Sequence, residues 1–227
     1  MTYFPLTRAP HEWQERVAEM AQRELAPRAA TTDQTGQYPQ ESLEALQRAG
    51  LWGLRVSQEH GGLGADLLTT CLIVEALSTH CPSTAMCYKM HLEAAEVLCR
   101  IPTPYQVEHF VRPMAQGQVC TTIAGSEAWG EGDNWSASQN ASHVIPVAAF
   151  DQQRITSQLP YMQAKVVCAE AAVRVTQDLM TTFGGAAFAS RMPFKRYFRD
   201  ARAGMVMGMA NDAAYQNMVP LLFPNGA

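Results

Sequence analysis

The sequence has no C-x-x-C pair, no uninterrupted apolar run of about 18 residues and no excess of basic charge. Each absence removes a class of protein. Without a long apolar run no transmembrane helix is expected. With a formal net charge of −4 and a pI near 5.9, neither nucleic acid nor an anionic membrane is expected as the main partner. The six cysteines (Cys71, Cys81, Cys87, Cys99, Cys120, Cys168) are scattered through apolar stretches, and the step from Cys81 to Cys87 matches no common zinc pattern. Buried free thiols in a reducing compartment, and no metal, are the expectation. Met1-Thr2-Tyr3-Phe4-Pro5 has no basic segment followed by an apolar core, so no signal peptide is expected, and a cytoplasmic protein is. What remains, 47% hydrophobic and 17% charged, is the composition of a globular chain with a sizeable core.

Over residues 1–117 the pattern is of helices joined by short turns. Trp13, Val17, Met20 and Leu25 recur at helical spacing between His11 and Ala26, and Pro27 stops the run. Thr31 to Tyr38 is predicted as a loop. Pro39 then opens a helix carrying Leu43 and Leu46, and Gly50 suits its C′ position. Gln58 to Gly64 is a glycine-rich turn with neither the dinucleotide-binding spacing nor a phosphate-loop lysine, so a sharp turn before a helix is predicted. Asp66 is the N-cap of that helix, which runs through Leu72, Val74 and Leu77. Helices are predicted from Ser83 to Leu98 and from Tyr105 to Ala115.

The character changes at Gln118. Val119 to Ile123 and His143 to Phe150 are β-prone pieces around a polar loop rich in glycine and serine. Helical periodicity returns from Pro160 to Thr182, where Val166, Val173 and Met180 fall seven apart with Val167 and Leu179 beside them. Gly184-Gly185 ends that helix, and a last one is predicted from Asp200 to Met218.

Two ordered blocks resemble the acyl-CoA dehydrogenase family. The first is Glu24 to Ala30, Tyr38-Pro39, Ala49 to Leu54 and Glu59 to Gly64, similar to the family's N-terminal helical domain. The second is Thr182 to Phe188, Met192-Pro193-Phe194 and Arg199-Asp200-Ala201-Arg202, similar to the end of its C-terminal bundle. The resemblance implies a mainly α fold in three parts: an N-terminal helical domain over 1–117, a remnant of a middle β domain over 118–155, and the end of a C-terminal helical bundle over 156–227. It further implies FAD held between barrel and bundle and shared by neighbouring subunits of a homodimer or homotetramer. Taken alone, Gly184-Gly185 is a plain helix C-cap; with its flanking match it becomes part of the cofactor site, where missing side chains let backbone N–H groups approach a pyrophosphate. Gly125-Ser126-Glu127 stands where the family has a Thr-Glu-Pro loop against the flavin, with Ser126 as the hydroxyl and Ala128 in place of proline. Arg199 and Asp200 are implied to be a local ion pair that orders the start of a helix.

The centre is short. Eight strands with turns need about 70 residues, and the stretch from Cys120 to Arg154 holds far fewer. Asn140 to Val144 resembles a barrel segment, but the residues before it do not match, and the first two bundle helices have no counterpart. Either the barrel has been deleted, or segments of a longer polypeptide are left out near Ser138 and between Arg154 and Leu159. The second is favoured because half a barrel leaves unpaired strand edges. An intact mass near 25.0 kDa speaks for deletion. An unformed barrel implies no bound FAD, because cofactor and domain order each other.

The family's reaction removes an α-proton from an acyl thioester while a β-hydride passes to the flavin, and it needs a carboxylate base. Counted from Arg199-Asp200-Ala201-Arg202, the usual glutamate falls on Gly208 and the flavin-touching threonine on Ala210. No catalytic residue is therefore assigned. Asp212 is better suited to cofactor contact than to proton abstraction, and His91 and His143 to structural hydrogen bonds. The expected activity is FAD-dependent dehydrogenation of an acyl thioester on coenzyme A or on an acyl-carrier protein, in polyketide or other secondary metabolism. A flavin monooxygenase and a helical scaffold without flavin are the alternatives. The electron acceptor is left open.

Overall fold

The computed structural model describes residues 8–122, 159–189, 191–207 and 209–224. Two compact units divide between Ala124 and Gly125. Among the described residues there are helices and turns but no strand. Val119 to Thr122 is irregular, while Ile123, His143 to Phe150 and both suspected gaps in the barrel lie outside the described residues.

In the first unit, α1 (Arg8–Glu24) buries Val17 and Ala21 on one stripe, and Leu25 continues it. Pro27 does not end the helical path. It sits in the first turn of α2 (Ala26–Thr35), where its missing N–H is no loss, so the chain bends at Leu25 and goes on. The loop predicted from Thr31 is therefore shorter. Thr31 to Thr35 is helical, with the Thr35 hydroxyl donating back to the Thr31 carbonyl at 2.9 Å, and only Gly36, with φ of 64°, ends the turn. α3 (Gln40–Arg48) buries Leu43 and Leu46, and Gly50 leaves it at φ 75°, as predicted.

After α3 the chain makes two 3-10 turns, Leu51–Gly53 and Gln58–His60, and folds back along itself. Leu63 N–H donates to the Gly53 carbonyl at 3.0 Å, Gly64 to Val56 at 2.7 Å and Ala65 to Leu54 at 2.9 Å. The glycines are structural here: they let residues 62–65 lie flat on the backbone of 53–57. Asp66 then caps α4 (Leu67–Ser78), accepting the Thr69 N–H at 2.8 Å. Replacing Asp66 with alanine should cost about 1 kcal/mol in urea denaturation at neutral pH. That cap's hydrogen bonds hold the Asp66 carboxyl below its ordinary value. Its contribution is therefore complete above the unfolded-state value and lost as pH falls through the folded one. Equal stability of variant and wild type at pH 7 would contradict this.

α5 (Pro82–Arg100) crosses the unit and packs Tyr88 and Leu92 into a core with Leu25, Leu46, Leu51, Leu54, Ile73 and Leu77. The Tyr88 hydroxyl donates to the Leu51 carbonyl at 2.6 Å, satisfying both groups in the interior. The predicted short helix is three pieces: α6 (Pro104–Gln106), a π turn (Val107–Val111) and α7 (Arg112–Ala115). Pro113 cannot donate to His109, and the wider turn, with Arg112 N–H on the Val107 carbonyl, absorbs the missing bond.

The second unit is built on α8 (Leu159–Phe183), a helix about 37 Å long. Met162 and Val166 pack with Ala214 and Met218 of α10 (Asn211–Leu222). Val166, Val173 and Met180 share the inner face, but Val167 and Leu179, expected to flank it, are exposed at 65% and 37%. The expected helix from Asp200 to Met218 is two. α9 (Phe194–Val206) starts after Pro193, the chain extends at Met207 and Ala210, and α10 begins at Asn211. Glycine is among the poorest helix formers, and Gly204 stands in the last turn of α9, just before the break. Arg199 and Asp200 consequently lie within α9 rather than at a helix start. Of the cysteines, all free, only Cys81 is buried; Cys71, Cys120 and Cys168 are exposed, against expectation, because each falls on the outer side of its segment.

Candidate functional site

The C-terminal end of α8 is where the structure opens. Phe183 stacks on Phe194 with ring centroids 4.5 Å apart, which pins the start of α9 beside the end of α8. The chain between turns through a 3-10 helix, Gly184–Phe188, entered at Gly184 with φ of 53°. That angle is in the left-handed region, so a side chain at Gly184 is strained. No atom lies within 4 Å of where a Cβ would stand on Gly184 or on Gly185. The backbone of both glycines therefore faces open space.

Beside them lies a groove of about 590 Å³, lined by Gln177, Met180 and Thr181 of α8, Phe188, and Lys195 and Phe198 of α9. Its walls are mostly apolar, with Lys195 as the one cation among these lining residues. Arg191, Arg196, Arg199 and Arg202 follow along the same segment against a single acid, Asp200. Exposed main chain and Lys195 offer hydrogen-bond donors to an anionic group, while the apolar walls suit a hydrophobic one. Among the described residues no group of His, Cys, Asp or Glu could hold a metal ion.

Residues 7–118 match the family model described as the acyl-CoA dehydrogenase N-terminal domain, and residues 139–212 match the acyl-CoA dehydrogenase C-terminal domain. The chain belongs to the acyl-CoA dehydrogenase family. A probable acyl-CoA dehydrogenase of Bacillus subtilis is 31% identical over 134 residues, which is 56% of this chain and 35% of that protein. A short-chain-specific acyl-CoA dehydrogenase of Clostridium acetobutylicum is 32% identical over 116 residues, 51% of this chain and 31% of the relative. The chain thus spans about a third of the length of these relatives. Butyryl-CoA dehydrogenase from Megasphaera elsdenii has the same fold, with a TM-score of 0.80 at 15% identity over 97% of this chain and 100% of that one. A nitrososynthase from Micromonospora carbonacea var. africana follows at 0.73 and 18%, over 97% and 98%. At these identities the likeness is one of fold.

In this acyl-CoA dehydrogenase family member the residues expected at the cofactor do not all meet. Asp212 is exposed in the first turn of α10, which packs on the N-terminal half of α8. Its neighbour Tyr215 donates to Glu170 at 2.7 Å. Glu170 and Gly184 are fourteen residues apart along α8, roughly 20 Å. Asp212 and the glycine pair therefore belong to separate ends of the unit. Gly125, Ser126, His143 and Gly208 lie outside the described residues.

Two features were not anticipated from the sequence. Lys195 and the groove depend on α9 folding back onto α8, which no local motif signals. Asn211, 3% exposed, accepts from the Lys165 ammonium and donates to Met205 Sδ at 3.4 Å. Desolvation lowers the Lys165 pKa below its ordinary value. No described helix is long and apolar enough to cross a membrane.

Proposed function

We propose that this chain binds FAD and acts in the α,β-dehydrogenation of an acyl thioester. The observation that carries the proposal is the open backbone at Gly184-Gly185 beside Lys195, in a chain of this family. In this reading the two glycines and Lys195 hold the diphosphate, Gly125 and Ser126 approach the flavin ring, and Asp212 contacts another part of the cofactor. Bound FAD would supply the hydride acceptor. The protein's own task is then to orient the thioester and exclude water around the α-carbon. Gly208 cannot take the α-proton, and Asp212 is exposed to water rather than desolvated, so neither serves as the base.

The domain division proposed is 1–117, 118–155 and 156–227. The divergent segment from Met205 to Asp212, where the family's glutamate and threonine are replaced, favours a thioester on an acyl-carrier protein over one on coenzyme A, in polyketide or other secondary metabolism. The same glycine at position 208 favours a second reading, a flavin monooxygenase, which needs no carboxylate base. We place the protein in the cytoplasm as a homodimer or homotetramer.

Titration of the purified full chain with FAD, followed by absorbance at about 450 nm, tests the cofactor. Gly185→Asp puts a carboxylate beside the diphosphate and should weaken FAD about a hundredfold, ~2.7 kcal/mol. Absence of binding, or equal affinity in wild type and variant, would count against the proposal. Anaerobic bleaching of the bound flavin by acyl-CoA or by acyl-carrier-protein thioesters then identifies the carrier. Bleaching by neither, with turnover only in the presence of a reductase and oxygen, favours the monooxygenase.

A further inference from the structure

α9 carries three of its cations on one narrow stripe. Lys195, Arg199, Arg202 and Val206 follow at steps of four, three and four, which a helix places one above the other. All four are exposed. Gly204, half a turn around the helix from Lys195, faces α8, where a Cβ on it would stand 3.8 Å from Ala169 Cβ. The stripe therefore points away from the packed side of the helix. The one acid of α9, Asp200, is half-buried and stands about 100° around the helix from Arg199, so no carboxylate of α9 shares the stripe.

A helix face that serves only to meet water mixes charges of both signs. This one holds cations alone, and exposed apolar side chains bracket them. Val206, 67% exposed, ends the stripe, and Phe188, 62% exposed, lines the same groove as Lys195 at its start. Cations between exposed apolar groups suit a protein surface better than water or a lone anion. The charge of the whole chain hides this surface. Residues 159–224 hold seven Lys and Arg against four Asp and Glu, whereas residues 8–122 hold nine against thirteen. From Lys195 to Arg202 is two turns, about 10 Å, a spacing that carboxylates along one face of an acidic helix can match.

We propose that the Lys195–Arg199–Arg202 stripe docks an acidic helix of the carrier protein on which the thioester arrives. The identity of this partner rests on the reading of the substrate as an acyl-carrier-protein thioester. A carrier protein brings its thioester on a tethered arm, so it has to dock beside the site that it serves. The stripe meets that need because it begins at Lys195, on the rim of the candidate cofactor groove. A thioester of coenzyme A, being free in solution, needs no such surface.

The probe is a purified acidic acyl-carrier protein in its holo form, titrated against the full chain. Wild-type affinity should fall about tenfold between ~50 and ~300 mM salt, a measurement that needs no variant. Arg202→Glu should weaken binding about tenfold and Arg202→Gln about threefold. Arg174→Glu, an exposed position on α8, makes the same change in net charge and should stay within about twofold of wild type. With the acylated carrier as substrate, Arg202→Glu should raise KM about tenfold and leave kcat within about twofold. No binding by wild type, or an equal loss in Arg174→Glu, overturns the docking surface. So does an equal loss of acyl-CoA affinity in Arg202→Glu, which would make the stripe a phosphate site. Salt-dependent self-association that Arg202→Glu abolishes would give the stripe to a second copy instead, and overturns it too. If acyl-CoA bleaches the flavin and the acylated carrier does not, the carrier reading fails and takes the docking surface with it. If the acylated carrier bleaches wild type and Arg202→Glu with the same KM, the carrier reading stands and the stripe alone is overturned.

Discussion

Gly62→Ala is expected to lower stability by about 3 kcal/mol, with a fall in melting temperature of roughly 10–20 °C. A Cβ on Gly62 would stand 2.3 Å from the Val56 carbonyl oxygen, 2.4 Å from Val56 Cβ and 2.6 Å from its carbonyl carbon. Two of those atoms are backbone, and rotating a side chain cannot move them aside. Val56 cannot retreat either: it is fully buried, packed with Ala95, Val111 and Met114. Its carbonyl also accepts the Gly64 N–H. Relief must therefore come from pulling residues 62–65 off residues 53–57, with loss of bonds from Leu63, Gly64 and Ala65. Gly185→Ala is the internal control. Nothing lies within 4 Å of its Cβ and its φ is not positive, so stability should change by less than about 0.5 kcal/mol. Thermal unfolding of the two variants side by side decides the matter. A Gly62→Ala protein melting within about 2 °C of wild type would show that the turn is not packed as described.

The second large effect belongs to Glu96. Its carboxylate joins Arg55, which donates from both Nε and Nη2, and Arg100, whose Nε donates at 2.7 Å. Arg55 also donates to the Ala65 carbonyl, so this cluster ties the end of the glycine-rich turn to α5. The side chains of Arg55 and Glu96 are 16% and 29% exposed, sheltered enough to matter and wet enough to temper the gain. Glu96→Gln leaves the Arg55 guanidinium half-buried without its counter-charge, at a cost of about 2 kcal/mol at pH 7. Partial burial pushes the Glu96 carboxyl up, but the hydrogen bonds and charges of Arg100 and Arg55 outweigh that and hold it below the usual value. A lowered folded-state value means stability that is complete above about pH 4.3, the unfolded-state value, and lost as pH falls through the folded one. Urea midpoints from pH 7 to pH 3 should therefore converge for wild type and variant at the acid end. Parallel curves would remove Glu96 as the cause.

Much of the N-terminal helical unit was legible because its signals are local. Asp66 before an apolar run and Gly50 after one specify a cap and a left-handed exit through atoms within four residues. Pro27 misled because proline is both the strongest breaker and a good first-turn residue. Only the burial of Ala21 and Leu25 on one side and Ala29 on the other shows which role applies. The predicted last helix failed for a related cause: apolar residues continue through Met205, Val206, Met207 and Met209, but the chain turns among them. Val167 and Leu179 show the limit of periodicity. It identifies an apolar position, not whether a neighbour covers it.

Of the candidate site, the motif was readable and its surroundings were not. Gly184-Gly185 stood out by flanking residues, whereas Lys195 reached the groove through the stack of Phe183 on Phe194. The same division holds for His91. Its sequence marked a histidine in a helix, with a structural hydrogen-bonded role as the expectation. Its partners, the Trp52 carbonyl and the Thr121 amide, come from 39 and 30 residues away.

By itself, then, the sequence determined the helical character of both ends, the caps and left-handed glycines, and the family. Tertiary structure alone decided that Gly62 must lack a side chain, that Glu96 answers Arg55 from 41 positions away, that Asp212 sits far from the glycine pair, and that His91 is buried between Trp52 and Thr121. The physical reason is range. Helix propensity, capping and backbone sterics act over a few neighbouring residues and leave a trace in order and spacing. Burial, counter-charge and long-range hydrogen-bond partners are set by groups that only packing brings together.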